Sequence, residues 1–320
     1  MVASTFPAGF EGVVAKCLAA AGVRVFRMCG GLALYEAEDR FPFFSNTFLV
    51  LSSVSGKQAA FEKMVAEAGR SMPKLRNRRG SFRVRFSEGN RFVGVPKSLT
   101  LAAEKTIVRN TGMTVDRVNP GTEYWFLLRS EGFGFFGELL RKQTAHKPRR
   151  GELRPELANL LCHCAGLPPN AVVCDPFAGY GAIPAQMIRH FPFSRLYIGD
   201  TDEERVTLLK TLSADRRVAV SRSDARALDH IGPGSVDRIV TDPPWGVYSP
   251  IDSSLPRETL AEFARIMKAG GKIVLLTACS ELWVAAAEDA ALETAETFPV
   301  LVNGKKASVL VLIKAGFGGL

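Results

Sequence analysis

Thr241-Asp242-Pro243-Pro244-Trp245-Gly246 is the run whose residue types and order bear most directly on chemistry. Two consecutive prolines fix the backbone and remove two amide donors, so the Asp242 carboxylate and the Pro243 carbonyl stand side by side as acceptors. Such a pair suits an amino group with two hydrogens to hold. Trp245 adds a flat surface on which an extruded nucleobase can stack while hydrogen bonds read its edge. A proline turn carrying a core Trp would have the same letters, so neighbouring motifs have to agree before the sharper reading stands.

Three further motifs lie upstream. Asp175-Pro176-Phe177-Ala178-Gly179-Tyr180-Gly181 sits between a short apolar run and a helical pattern. Gly179 and Gly181 let backbone approach a ligand closely, and the helix start that follows favours a carboxylate. It is neither a G-x-G-x-x-G dinucleotide fingerprint nor a phosphate loop with its Lys-Ser/Thr. Gly199-Asp200-Thr201-Asp202 places an acid where it can accept two hydrogen bonds from a ribose diol. Ser223-Asp224-Ala225 offers a carboxylate to an adenine amino group. Each Asp taken singly is more often a helix cap. Acids at the ends of successive strands point instead to one ligand-binding rim.

The elements that must position these residues follow an alternating pattern. Pro155 suits the first turn of a helix through Leu157, Leu160 and Leu161. Strands are predicted at 172–174, 196–199, 218–221, 238–241 and 272–277, with a helix around 183–190. A helix carrying Leu260, Phe263, Ala264 and Met267 is expected to end at Gly270-Gly271. Alternating strands and helices imply an α/β, doubly wound, mostly parallel sheet. A closing hairpin, 298–302 and 309–313 with Asn303-Gly304 near its turn, gives that sheet an antiparallel edge.

The first half reads as α+β. Phe10, Val13, Val14, Cys17, Leu18 and Ala21 draw an apolar helix stripe stopped by Gly22, and a hairpin follows at 23–28 and 32–36 around Gly30-Gly31. A strand at 48–54 and a helix at 61–68 complete a first unit. Between Lys74 and Lys97 eight basic residues face the single acid Glu88. A solvated loop before a strand accounts for that balance, and so does a nucleic-acid face, because Phe82, Val84 and Phe86 alternate with Arg83 and Arg85. Arg76, Arg78, Arg79 and Arg83 are the candidates there for RNA contact, joined by Lys147, Arg149 and Arg150 in a basic stretch at 141–154. A helix at 99–110 and a strand at 124–129 finish this half.

Composition bounds the function classes. The chain has 320 residues, is 47% hydrophobic and 23% charged, and carries a formal charge of +9, which favours a polyanionic partner. No run approaches the roughly 18 apolar residues of a membrane span. No signal of the secretory kind opens the chain, so a cytoplasmic location is expected. The six cysteines lie in apolar segments without a C-x-x-C pair and read as reduced core residues. Cys162-His163-Cys164 cannot converge on one ion from a helix, and no metal is expected.

In these motifs, 155–316 resembles the methyltransferase domain of the THUMP-containing RNA guanine-N2 methyltransferases. The motifs that match are Cys174 to Gly179, Gly199-Asp200, Asp224 and Asp242 to Gly246. The N-terminal half resembles the same family: Phe6 to Glu11 and Gly30-Gly31 are similar to its ferredoxin-like segment, and 81–86 with 118–137 to its THUMP module. The sequence departs from the pattern at Tyr180 and Ala182, where small Ser and Thr are common, and at Trp245, where Tyr or Phe is more usual. The last change leaves adenine N6 open beside guanine N2. The resemblance implies a Rossmann-like class I domain at 155–320, a ferredoxin-like domain at 1–70, a THUMP domain at 71–140 and a basic linker at 141–154. It also implies S-adenosylmethionine as methyl donor, RNA and most readily tRNA as substrate, and a monomer. The donor would be held by Asp175, Pro176, Phe177, Gly179, Gly181, Asp200, Thr201, Asp224 and Ala225. The base would be held by Asp242, Pro243, Pro244 and Trp245. Ribosomal RNA remains an alternative substrate, and an inactive RNA-binding protein an alternative of a different class.

Overall fold

The structure is a computed structural model that describes residues 1–36, 41–56, 60–74, 78–142, 148–246, 252–302 and 304–316. The chain divides into two compact units, Met1–Ala145 and His146–Leu320. Among the described residues no helix is long and apolar enough to cross a membrane.

The first unit comprises β1 (Val2–Thr5), α1 (Glu11–Ala20), β2 (Arg24–Cys29), β3 (Leu32–Glu36), β4 (Asn46–Ser55), α2 (Phe61–Ser71), β5 (Ser81–Glu88), β6 (Arg91–Phe92), α3 (Lys97–Thr111), β7 (Thr114–Val115), β8 (Thr122–Arg129) and β9 (Phe133–Lys142). Gly30 and Gly31 have φ of 46° and 71°, the positive values that a two-residue hairpin between β2 and β3 requires. Glu11 ties this turn down, its carboxylate accepting from the Gly9 and Gly31 amides at 2.9 and 2.8 Å. All the strands of this unit join one sheet in the order β2-β3-β1-β4-β9-β8-β5-β6, with β7 beside β5. The boundary expected at residue 70 therefore falls inside a continuous sheet, because β4 from the first expected domain pairs along nearly its whole length with β9 from the second. Apolar residues on the strands fill both sheet faces. Phe82, Phe86, Tyr124, Phe126 and Phe136 pack with α2 and α3 residues on one face, and Ala3, Leu34, Phe48, Trp125, Leu127 and Phe135 form a second core.

The second unit comprises α4 (Pro155–Ala165), β10 (Val172–Asp175), α5 (Ala182–His190), β11 (Arg195–Asp200), α6 (Glu203–Leu209), β12 (Val218–Arg222), β13 (Val236–Thr241), α7 (Leu255–Ile266), β14 (Met267–Thr277), α8 (Ser280–Asp289), β15 (Leu292–Val302) and β16 (Lys305–Lys314). Its sheet runs β12-β11-β10-β13-β14-β16-β15. The first five strands are parallel, and β16 enters antiparallel between β14 and β15. The order reverses between β10 and β13, the switch point at which open α/β sheets leave a crevice at the carboxyl ends of their strands. One boundary differs from expectation. The helix α7 stops at Ile266, and Met267 opens β14, where Gly270, at φ 71°, sits in a bulge between the pairs Val236–Met267 and Arg238–Lys272. Gly271 packs so closely there that a Cβ would lie 2.8 Å from the Lys268 carbonyl. The glycines serve a strand bulge, which local sequence does not distinguish from a helix C-cap.

Candidate active site

Burying β10 on both faces carries Asp175 to the floor of the crevice with 1% of its surface exposed. Its Oδ1 accepts from the Thr241 hydroxyl at 2.8 Å and the Phe177 amide at 3.3 Å, whereas its Oδ2 is buried without a hydrogen-bond partner. Burial pushes this carboxyl up to about 7, against the pull of the Thr241 and Phe177 bonds, and the Asp200 charge adds to the rise. An unsatisfied buried oxygen of this kind costs free energy unless a ligand donor meets it.

The loop after β10 is built around the end of β11. The Ala178 amide donates to the Gly199 carbonyl at 2.9 Å, and the Gly179 amide to Asp200 Oδ2 at 3.0 Å. Asp200 Oδ1 accepts from the Asp202 amide at 3.0 Å, and Oδ2 also faces the Arg205 guanidinium at 3.5 Å, so each oxygen is fixed by one backbone donor and Oδ2 is further ion-paired. The paired acids of this motif divide their work. Asp202 caps α6, accepting from the Glu204 and Arg205 amides, while Asp200 faces the crevice. Gly179 has φ 55°, and Gly181, at φ 84°, is the N-cap of α5.

Thr241 ends β13, and the chain continues through the prolines to Trp245. The indole Nε1 donates to Asp242 Oδ1 at 2.8 Å and to the Leu276 carbonyl at 3.2 Å. Among the described residues Asp242 Oδ2 meets no protein donor, and it lies next to a Pro243 carbonyl on a buried residue. Burial pushes the Asp242 carboxyl up to about 8, the Trp245 N–H opposes that shift, and Asp175 adds to it.

These groups line one cavity of about 670 Å³, within the ~300–1,000 Å³ typical of small-molecule sites. Of the residues expected from sequence to hold a donor, Asp175, Pro176, Phe177, Gly179, Asp200, Thr201 and Ala225 line it, as do Asp242, Pro243, Pro244 and Trp245 from the base-holding set. Gly181 lies behind the wall, where a Cβ would meet Leu209 at 3.1 Å and Leu212 at 3.2 Å. Asp224 is also outside the lining. Its carboxylate is held by Arg226, with Nε–Oδ1 at 3.0 Å and Nη2–Oδ2 at 2.8 Å, and that pairing keeps its titration below the usual range.

The basic stretch expected to be a linker contributes to the same cavity. Residues 148–153 line it, and the Arg149 guanidinium lies 5.1 Å from the centre of the Tyr180 ring, which Arg205 approaches at 5.4 Å. Arg205, with Val302 and Lys305 from the β15–β16 hairpin, had no signal in local sequence, and Tyr180 stood out there only as a departure from the family's pattern. In the first unit, Arg78 is bonded to Glu138 and to the Tyr124 hydroxyl, and Arg83 to Glu123. Arg79 is exposed. Arg76 and Lys147 lie outside the described residues.

Residues 209–308 match a family model described as UPF0020, RMKL-like, methyltransferase domain. A tRNA (guanine(6)-N2)-methyltransferase from Thermus thermophilus is 30% identical over 210 residues, which are 62% of this chain and 62% of that protein, so the match spans less than two thirds of the relative. The crystal structure of TrmN from Thermus thermophilus is similar over 98% of this chain and 99% of its own, with a TM-score of 0.78 at 24% identity. The structure of a possible methylase from Clostridium difficile 630 is similar over 100% and 98%, with a TM-score of 0.73 at 14% identity. Residues 209–308 thus resemble a methyltransferase domain of the UPF0020, RMKL-like description, and the chain has, over nearly its whole length, the fold of TrmN.

Proposed function

We propose that this protein transfers a methyl group from S-adenosylmethionine to the exocyclic N2 of a guanosine in tRNA. The observation that carries the reading is the convergence on one cavity of the Asp175–Asp200 rim and the Asp242–Pro243 acceptor pair. The relative that is named a tRNA guanine-N2 methyltransferase supports the substrate. The donor fits the residues present. Asp175 Oδ2 is a buried acceptor in need of a cationic or N–H partner, and the donor carries an α-ammonium group. Asp200, held rigid by two amides, suits a ribose diol, and buried Ala225 with half-buried Phe177 suits an adenine ring. Because Asp224 is engaged by Arg226, the adenine amino group would rely on other acceptors or displace that pair.

When bound, the donor supplies an electrophilic methyl on a sulfonium. The protein's task is to present a poor nucleophile. The lone pair of guanine N2 is delocalised into the ring, and hydrogen bonds from that amine to Asp242 Oδ2 and the Pro243 carbonyl favour the geometry in which the lone pair points out of the ring plane. Positioned acceptors of this kind act by orientation and by stabilising charge that develops on nitrogen. Trp245 supplies the stacking face. The first unit, with Arg79 and the basic stretch at Arg149 and Arg150, would deliver the RNA.

The test is to incubate unmodified tRNA with enzyme and labelled donor, digest to nucleosides and identify the labelled one. N2-methylguanosine is expected. N6-methyladenosine would overturn the base, label confined to ribosomal RNA the substrate, and no label with any RNA the activity.

A further inference from the structure

We propose that Trp245 is a positioning residue whose indole N–H, and not only its ring face, sets the acceptor geometry of Asp242. The proposal rests on the reading above, in which Asp242 receives the target amine. Carboxylate torsions are broad and roughly two-fold, so an Asp after a β-strand has no intrinsic preference for which oxygen faces a ligand. Here one donor removes that freedom. Trp245 Nε1 lies 2.8 Å from Asp242 Oδ1 and 3.2 Å from the carbonyl of Leu276, a fully buried residue of β14. The Trp245 carbonyl is in turn 3.6 Å from the Cys279 thiol. The indole is therefore fixed to the strand beside β13, and Asp242 is fixed to the indole. Phenylalanine or tyrosine at 245 would keep a stacking surface but carries no donor at the indole nitrogen's position.

The same bond affects the charge of the site. Removing a donor that favours the ionised carboxylate moves its titration upward. Among the described residues, the other charged groups around the cavity are Asp175 and Asp200 at strand ends, Arg205 on α6, Arg149, Arg150 and Glu152 in the 148–153 segment, and Lys305 on β16. None is altered by a change at 245, so a difference between wild type and variant reports the N–H.

The experiment compares full-length wild type with Trp245→Phe, measuring single-turnover methylation of tRNA from pH 6 to 10. In parallel, the carboxyl C=O stretch of the ligand-free proteins is titrated by infrared difference spectroscopy, the Asp242 band being the one absent from Asp242→Asn. Trp245→Phe is expected to hold the apparent affinity for tRNA within about threefold while lowering the rate at pH 7 by about tenfold, the size of one hydrogen bond of about 1.4 kcal/mol. The rate should recover toward wild type as pH rises, with the Asp242 midpoint shifted upward by about one unit. A rate profile parallel to wild type, or an unmoved Asp242 midpoint, would overturn the proposal. Should Trp245→Phe fail to fold, benzothienylalanine at 245 keeps the bicyclic shape and replaces N–H with sulfur, and the same two outcomes apply. A wild type that methylates no guanosine sinks the substrate reading by itself, while the infrared titration still decides whether the indole controls Asp242.

Discussion

Asp175 adds to the rise at half-buried Asp242, and Asp200 to the rise at buried Asp175, so both carboxyls of the cavity hold their protons above the usual carboxylate range. The consequence for stability has a definite sign. A carboxyl whose folded-state value is raised to about 7 contributes stability that is present below its unfolded value near 4 and is lost as pH rises through 7. Asp175→Asn removes that loss, keeps an oxygen for Thr241 and places an amide at the orphaned position. The stability advantage of ligand-free Asp175→Asn over wild type should therefore widen by up to about 3 kcal/mol from pH 5 to pH 8.5, several degrees in melting point. Calorimetric melting at the two pH values checks this, and a gap independent of pH would show that ionisation at Asp175 is not what burial penalises. Asp200 behaves differently because it is already satisfied by two amides. Asp200→Ala should lose donor binding and also release the Gly179 amide, so its 177–181 loop should gain amide hydrogen exchange; unaltered exchange there would show the Asp200–Gly179 bond to be dispensable.

At the scale of elements, the site depends on turns that only certain residues can make. Gly181 caps α5 at φ 84°, with the side chains of Leu209 and Leu212 against its open face. Gly181→Ala forces a Cβ into the left-handed region at a cost of about 1 to 2 kcal/mol, and the two leucines have to shift by some tenths of an ångström. A melting point lowered by about 2 to 8 °C, with donor affinity weakened, is expected, and a neutral effect on both would remove Gly181 from the architecture of the site. The alternation of strands and helices from Pro155 onward was legible because largely buried strands are short, apolar and bounded by turn residues, as Val172–Asp175 and Val236–Thr241 are. The carboxylates at their ends could be placed from that alone. What could not be read was partner choice. Asp224 and Asp200 look alike in sequence, yet Arg226 two residues on engages the first and the Gly179 amide engages the second. Likewise Gly270-Gly271 has the letters of a helix end but serves a strand bulge, because pairing with β13 outweighs a local stop signal. The hairpin tip at Val302 and Lys305 reaches the cavity through β16 entering between β14 and β15, a tertiary fact with no local trace.

At the scale of the whole molecule, the chain separates at 145/146, nine residues before the helix that begins at Pro155. Residues 148–153 belong with the cavity, so two C-terminal fragments should differ. A fragment from His146 should bind S-adenosylmethionine as the full chain does, whereas one from Pro155 loses the Arg149–Tyr180 contact and the wall formed by Leu153 and should bind at least several-fold more weakly. Neither should methylate tRNA efficiently if the first unit delivers the RNA. Within the full chain, the arginines separate by their exposure to solvent. Arg149→Ala with Arg150→Ala removes two side chains from the exposed surface, so the slope of log K against log salt for tRNA should flatten by roughly two units if both meet phosphates. Arg78→Ala instead strands Glu138, which is 6% exposed, beside the Tyr124 hydroxyl. That variant should be destabilised by about 1 to 3 kcal/mol with its salt slope unchanged, because a guanidinium neutralised by a buried carboxylate has little net charge to offer a phosphate. Filter-binding titrations from 50 to 300 mM salt on both variants decide the matter. A flattened slope for Arg78→Ala would place that arginine on the RNA, and an unchanged slope for the Arg149/Arg150 variant would confine the basic stretch to walling the donor cavity.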